Sequence, residues 1–187
     1  MQEEIANSIR ALNEGQTLLY PTDTVWGIGC DATNEAAVRK VMALKQRDDS
    51  KSMIVLVSDD AMLNRYVEEV PAIAWDLLDL EDKPLTIIYS GARQLAPSVV
   101  AEDGSVGIRM VQEPFCQALL RKFRKPIVST SANISGSPTP GSFAAIEPAI
   151  LEGVDYVVNL RQQEQGAARP SGILKIATNG EVQIIRK

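Results

Sequence analysis

Ile127-Val128-Ser129-Thr130-Ser131-Ala132-Asn133-Ile134-Ser135-Gly136 is the stretch on which the reading of this chain turns. It begins as a short apolar run after Pro126, the pattern of a buried strand. It then changes character within one residue, to serine and threonine hydroxyls, an asparagine amide and a closing glycine. A strand end of this kind concentrates small hydrogen-bonding groups in one loop. In open α/β sheets ligands bind outside the carboxyl ends of strands, so a polar ligand is expected here. Ser, Thr and Asn are also ordinary residues of turns and helix N-caps. The ligand reading therefore depends on cations elsewhere in the chain that need an anionic partner.

Composition narrows the chemistry. With 187 residues, 45% hydrophobic and 23% charged, the chain can bury a sizeable core, and residues 1–187 are expected to form a single domain. No apolar run approaches the length of a membrane span, and Met1-Gln2-Glu3-Glu4 lacks the start of a signal peptide, so a cytoplasmic location without membrane contact is expected. Cys30 and Cys116 are too few for a disulfide framework and lack metal-site spacing. The chain has no histidine, which excludes Ser-His-Asp and Cys-His machinery and histidine zinc sites. Chemistry must run on Lys, Arg, carboxylates, hydroxyls, backbone or a bound metal ion. A formal charge of −5 argues against a surface that binds nucleic acid throughout, and leaves room for a local basic patch.

Moving upstream from the organising strand, Glu113-Pro114 opens a helix with Phe115, Ala118, Leu119 and Phe123 inward. Its end carries Arg121, Lys122, Arg124 and Lys125, either complementing the helix dipole on a solvated face or forming an RNA-backbone patch. Pro84–Tyr89 and Gly104–Met110 read as strands. Arg109, near the end of the second, can address a carboxylate bidentately, or sit at the surface. Pro71 suits the first turn of a helix with Ile73, Ala74, Leu77 and Leu78 on its inner face, and Asp59 can cap one carrying Met62, Leu63 and Tyr66. Met53–Val57 reads as a buried strand.

A helix capped by Thr33 or Asn34 runs to about Gln46, with Val38, Val41 and Met42 as its stripe and Lys45 on the same stripe. Lys45 either snorkels and complements the helix dipole or converges with Arg47 on an anion. Residues 3–14 read as a helix stopped by Gly15, and Thr17–Tyr20 as a strand ended by Pro21. Pro21–Asp31 reads as a hydroxyl- and glycine-rich loop; Gly27 and Gly29 fall short of a dinucleotide fingerprint, and no P-loop is present. Downstream, residues 136–141 form a turn-rich loop, a helix near Phe143–Leu151 is interrupted or restarted at Pro148, and Val154–Leu160 is a strand. Residues 161–171 are polar and expected to be mobile. Asn179-Gly180 marks a type I′ turn between strands at 173–176 and 182–185. The expected fold is α/β, with a mixed open sheet and flanking helices.

Tyr20-Pro21-Thr22-Asp23-Thr24-Val25-Trp26-Gly27-Ile28-Gly29, Lys45-Gln46-Arg47 and Ser129-Thr130-Ser131-Ala132-Asn133 together resemble the YrdC family, with Pro84-Leu85-Thr86 and Gly107-Ile108-Arg109-Met110 fitting in order. The resemblance implies a twisted sheet around a large concave cavity. It also implies synthesis of L-threonylcarbamoyladenylate from L-threonine, bicarbonate and ATP, for modification of adenosine 37 in tRNA. By the same resemblance Thr24, Arg109, Ser129 and Ser171 surround the threonine, while Lys45, Arg47, Lys51, Ser131, Asn133, Thr139 and Arg186 surround ATP. Lys45 and Arg47 would offset phosphate charge during catalysis, and Mg2+ would ride on the phosphates rather than in a protein cage. Implied partners are the downstream tRNA-threonylcarbamoyl transferase proteins, with tRNA or double-stranded RNA as a further candidate. The chain departs from the family pattern at Asp48, Asp82-Lys83-Pro84, Leu56 and Ser171-Gly172-Ile173.

Overall fold

The computed structural model describes residues 1–46, 53–80, 83–165 and 169–187. Its α-helices are α1 (Gln2–Asn13), α2 (Glu35–Lys45), α3 (Asp60–Tyr66), α4 (Ala72–Leu80), α5 (Pro114–Phe123) and α6 (Pro148–Gly153). Its strands are β1 (Leu18–Tyr20), β2 (Gly27–Gly29), β3 (Ile54–Val57), β4 (Leu85–Tyr89), β5 (Val106–Met110), β6 (Ile127–Ser131), β7 (Tyr156–Val157), β8 (Gly172–Ile176) and β9 (Val182–Arg186). Three of the helices, α2, α3 and α5, begin where a side-chain acceptor satisfies a first-turn amide. Asn34 accepts from the Ala37 amide, Asp59 from Met62 and Glu113 from Cys116.

The strands join one sheet in the order β7-β1-β2-β6-β3-β5-β4-β8-β9. Pairs β1–β7, β3–β5 and β4–β8 are parallel and the rest antiparallel, so the expected mixed, open α/β sheet is present. Register decides which side chains meet. Residues directly opposite one another share a face of the sheet, which puts Ser129, Ile54, Gly107 and Ile88 in one row. Arg109, Thr86, Ile173 and Arg186 form the next row on that face. The core is aliphatic and aromatic, with Tyr20, Tyr89, Phe115, Leu12 and Ile28 fully enclosed. No described helix is long and apolar enough to cross a membrane.

Two elements differ from the sequence reading. Residues 27–29 are a strand rather than part of a loop, because β1 and β6 both pair with them. Glycine hides that strand from propensity, yet packing demands it: a Cβ on Gly29 would lie 2.1 Å from the Val128 carbonyl oxygen and 2.8 Å from the Tyr20 ring. The β8–β9 hairpin is present, but its turn is not type I′. Gly180 alone has positive φ (87°), and its amide donates to the Ala177 carbonyl. That is a three-residue connection with glycine at the left-handed position. The helix near 143–151 does restart at Pro148: a 3₁₀ turn at Phe143–Ala145 precedes α6, which starts there.

Candidate functional site

The two side-chain rows floor a cavity of about 300 Å³, at the lower end of the ~300–1,000 Å³ typical of small-molecule sites. Of the expected site residues, Thr24, Arg109, Ser129, Ser131, Thr139, Ser171 and Arg186 line it, with Met53, Ile54, Ile88, Gly107 and Ile173 as apolar walls. Arg47 and Lys51 lie outside the described residues. Thr86 is a lining residue that carried no role in the sequence reading. Its hydroxyl and that of Ser171 are 2.8 Å apart. The signal for it was present in the Pro84-Leu85-Thr86 motif, but only strand register places it beside Arg109.

Arg109 is buried rather than at the surface, 3% exposed. Asp23 Oδ1 stands 3.1 Å from its Nη2, and Asp23 Oδ2 accepts from the Gln112 amide at 3.0 Å. The ion pair is off-axis for a hydrogen bond: Nε and Nη2 of Arg109 have no hydrogen-bond acceptor among the described residues. A buried guanidinium with unspent donors is costly unless a ligand completes it. Across the row, Arg186 Nε and Nη2 donate to the Ser171 carbonyl at 3.0 and 2.8 Å. Burial, then the neighbouring Arg109 charge, pulls Arg186 below the ordinary guanidinium range. Two arginines in one hydroxyl-lined hollow make a site for a small anion.

The loop before β2 is braced from within. Thr22 Oγ1 donates to the Val25 carbonyl at 2.7 Å, accepts from the Thr24 amide at 3.0 Å, and lies 3.0 Å from Thr24 Oγ1. This turn presents Thr24 to the cavity.

Lys45 and Asn133 sit behind the wall instead of on it. Lys45 is 2% exposed, and its Nζ donates to the Ser131 and Asn133 carbonyls at 2.5 and 2.6 Å. The Lys45 carbonyl accepts from the Ser135 amide at 2.8 Å. Thus the end of α2 is clamped to the tip of β6, and the ammonium on an apolar stripe satisfies carbonyls the strand leaves behind. The Asn133 amide donates to the Ile134 and Ser137 carbonyls.

The basic end of α5 is partly committed elsewhere. Lys125 pairs with Asp31 at 2.9 Å and lies 5.6 Å from the Phe123 ring, while the Arg124 carbonyl accepts from Arg65. Among the described residues no cluster of carboxylates and cysteines could hold a metal ion.

Fold and site together define an α/β protein with an arginine-bearing, polyhydroxyl pocket for a small anionic ligand. Comparison with known sequences narrows that class. The family described as Telomere recombination, which groups Sua5, YciO and YrdC, matches residues 10–187, and the chain belongs to it. It is 33% identical over 184 residues to a threonylcarbamoyl-AMP synthase of Pseudoalteromonas translucida (strain TAC 125), covering 97% of each chain. It is 34% identical over 179 residues to one of Xanthomonas oryzae pv. oryzae (strain PXO99A), covering 94% of each. Among solved structures, E. coli YciO superposes with a TM-score of 0.85 at 22% identity, over 100% of this chain and 90% of that one. P. abyssi Sua5 complexed with L-threonine superposes with a TM-score of 0.83 at 23% identity, over 94% of this chain and 52% of that one. These superpositions establish a shared fold, and the chain spans about half of the P. abyssi protein.

Proposed function

We propose that this chain makes L-threonylcarbamoyladenylate from L-threonine, bicarbonate and ATP, releasing pyrophosphate, and that the product is passed to a transferase that modifies adenosine 37 of tRNA. The observation that carries the reading is Arg109, a buried guanidinium with unspent donors in a cavity walled by Thr24, Ser129 and Ser171. It is supported by two relatives of nearly equal length that bear the name threonylcarbamoyl-AMP synthase.

In this reading the threonine carboxylate lies on Arg109, and its amine and hydroxyl lie among Thr24, Ser129, Thr86 and Ser171. The neutral amine adds to the carbon of bicarbonate, whose C–OH bond breaks as water leaves, or adds to the CO2 in equilibrium with it and gives up a proton to solvent; either route yields a carbamate. A carbamate oxygen then attacks the α-phosphorus of ATP, and the bond from that phosphorus to the bridging oxygen breaks as pyrophosphate leaves. No protein nucleophile is required, so a chain without histidine is sufficient. The protein's task is to position the reactants and stabilise charge. Ser131, Thr139 and Arg186 face the ATP from the cavity wall, Lys45 and Asn133 hold the strand tip beneath it, and Arg47 and Lys51 contribute phosphate-facing cations. Mg2+ travels on the phosphate oxygens, in keeping with its preference for phosphate and water ligands.

The test is to incubate the protein with ATP, Mg2+ and bicarbonate, with and without threonine, and to follow pyrophosphate and the adenylate. Threonine-dependent release of both is expected. Pyrophosphate release that ignores threonine, or no product from folded protein, would overturn the reading.

A further inference from the structure

Arg161 has no place in the cavity wall, yet its side chain joins segments that carry the site. Its Nη1 donates to the Thr22 carbonyl at 3.2 Å and stands 3.4 Å from Glu113 Oε1. Its Nε pairs with Glu164 at 2.8 Å. Thr22 is the hub of the turn that presents Thr24. Glu113 is buried, lies just past β5, which carries Arg109, and caps α5. Between them Asp23 binds the Gln112 amide and faces Arg109. Two ion pairs, Asp23–Arg109 and Glu113–Arg161, therefore bracket the loop at 22–24 and tie it to the end of β5.

The backbone of Arg161 adds an independent observation. Its φ is 56°, in the left-handed region that favours glycine. Glycine and asparagine adopt that region most readily, so arginine there carries a backbone cost, as do Gln46, Gln94 and Arg124 elsewhere in the chain. Strain at a position whose side chain is the anchor points to a use for that side chain.

We propose that Arg161 is a positioning residue that holds the Thr24 loop against the end of β5, and so sets the spacing between Thr24 and the Arg109 guanidinium. Its consequence for the ligand rests on reading the cavity as a threonine site. Arg161→Gly separates anchor from turn, since glycine relieves the left-handed strain while removing the guanidinium. In R161G the relief of left-handed strain offsets part of the loss of the ion pair to buried Glu113, so the melting temperature is expected to fall by only about a few degrees. Amide hydrogen exchange at residues 22–25 should quicken by about tenfold, with β5 unchanged. The KM for threonine should rise by about tenfold with kcat within about twofold. R161K, which keeps a cation but loses the fork, should fall between.

Wild-type exchange at residues 22–25 in R161G would overturn the proposal, as would faster exchange with an unchanged KM. If R161G does not fold, R161K decides by the same readouts. Failure of the wild-type protein to bind threonine in calorimetry would overturn the functional reading instead, and the exchange measurement would still judge the anchor.

Discussion

At the scale of single residues, the planar fork of Arg109 is what an ammonium cannot replace. Arg109→Lys keeps a cation facing Asp23 but loses the parallel donors. The dissociation constant for threonine, read by calorimetry, should rise ~10–100-fold, the equivalent of one charge-assisted hydrogen bond. Glycines on the same sheet separate fold from site. At Gly29 a Cβ would meet the Val128 carbonyl at 2.1 Å, so Gly29→Ala should cost ~3 kcal/mol or more in denaturant unfolding. At Gly107 a Cβ would make ordinary contacts of 3.4 Å or longer, with the Thr86 and isoleucine side chains. Gly107→Ala should leave stability unchanged or raise it by up to ~1 kcal/mol. Neither contrast was legible in the sequence, where Gly29 stood in a segment read as a loop and Gly107 inside a segment read as a strand. What could be read was Arg109 itself, because an arginine near the end of an apolar run invites a carboxylate.

Elements carry the next level of prediction. Asp59 caps α3 by accepting from Met62, and the Ser58 hydroxyl, then that backbone amide, hold its carboxyl below the usual range. A depressed folded-state value contributes stability that is complete above the unfolded-state value of ~4 and is lost as pH falls through the folded value. Asp59→Ala should cost ~1 kcal/mol at neutral pH, and the difference from wild type should shrink on acidification below pH ~4. Denaturant melts over a pH series would measure both.

Lys45→Met keeps the buried stem of α2 and deletes the ammonium that two carbonyls share. A loss of ~2–3 kcal/mol is expected, because buried acceptors are left unsatisfied. Helix starts were legible here, since Thr33 or Asn34 and Asp59 are capping residues by chemistry and Glu113-Pro114 opens a helix with proline in its first turn. Strand β2 was not, since its pairing comes from partners distant in sequence. The hairpin lay between: Asn179-Gly180 located the turn, but only the observed φ values distinguished a glycine bulge from a type I′ turn.

For the whole molecule, the cavity is a product of sheet order more than of any motif. Its hydroxyls and guanidinium groups come from segments that lie far apart in the chain: cross-strand register sets Ser129, Thr86, Arg109 and Arg186 in two rows, and loops bring Thr24 and Thr139 to them. The sequence supplied most of the members through resemblance to a family. It did not supply the fact that Lys45 and Asn133 would stand behind the wall, because a stripe of side chains does not say how far a helix end reaches. If the assembled hollow binds threonine, a ligand at about a hundred times its dissociation constant should add ~2.7 kcal/mol to stability. Thermal shifts should then rank threonine above serine, with R109K showing about half the wild-type shift or less.

The β8–β9 hairpin has a temporal consequence. Ribosomes deliver Thr24 early and Arg186 after every other member of the site, and the side chains of β9 are all exposed. A nascent chain can therefore condense most of its interior before the second guanidinium emerges. On the proposed reading, the threonine side of the hollow is complete once Ser171 emerges, and the ATP side closes only with β9.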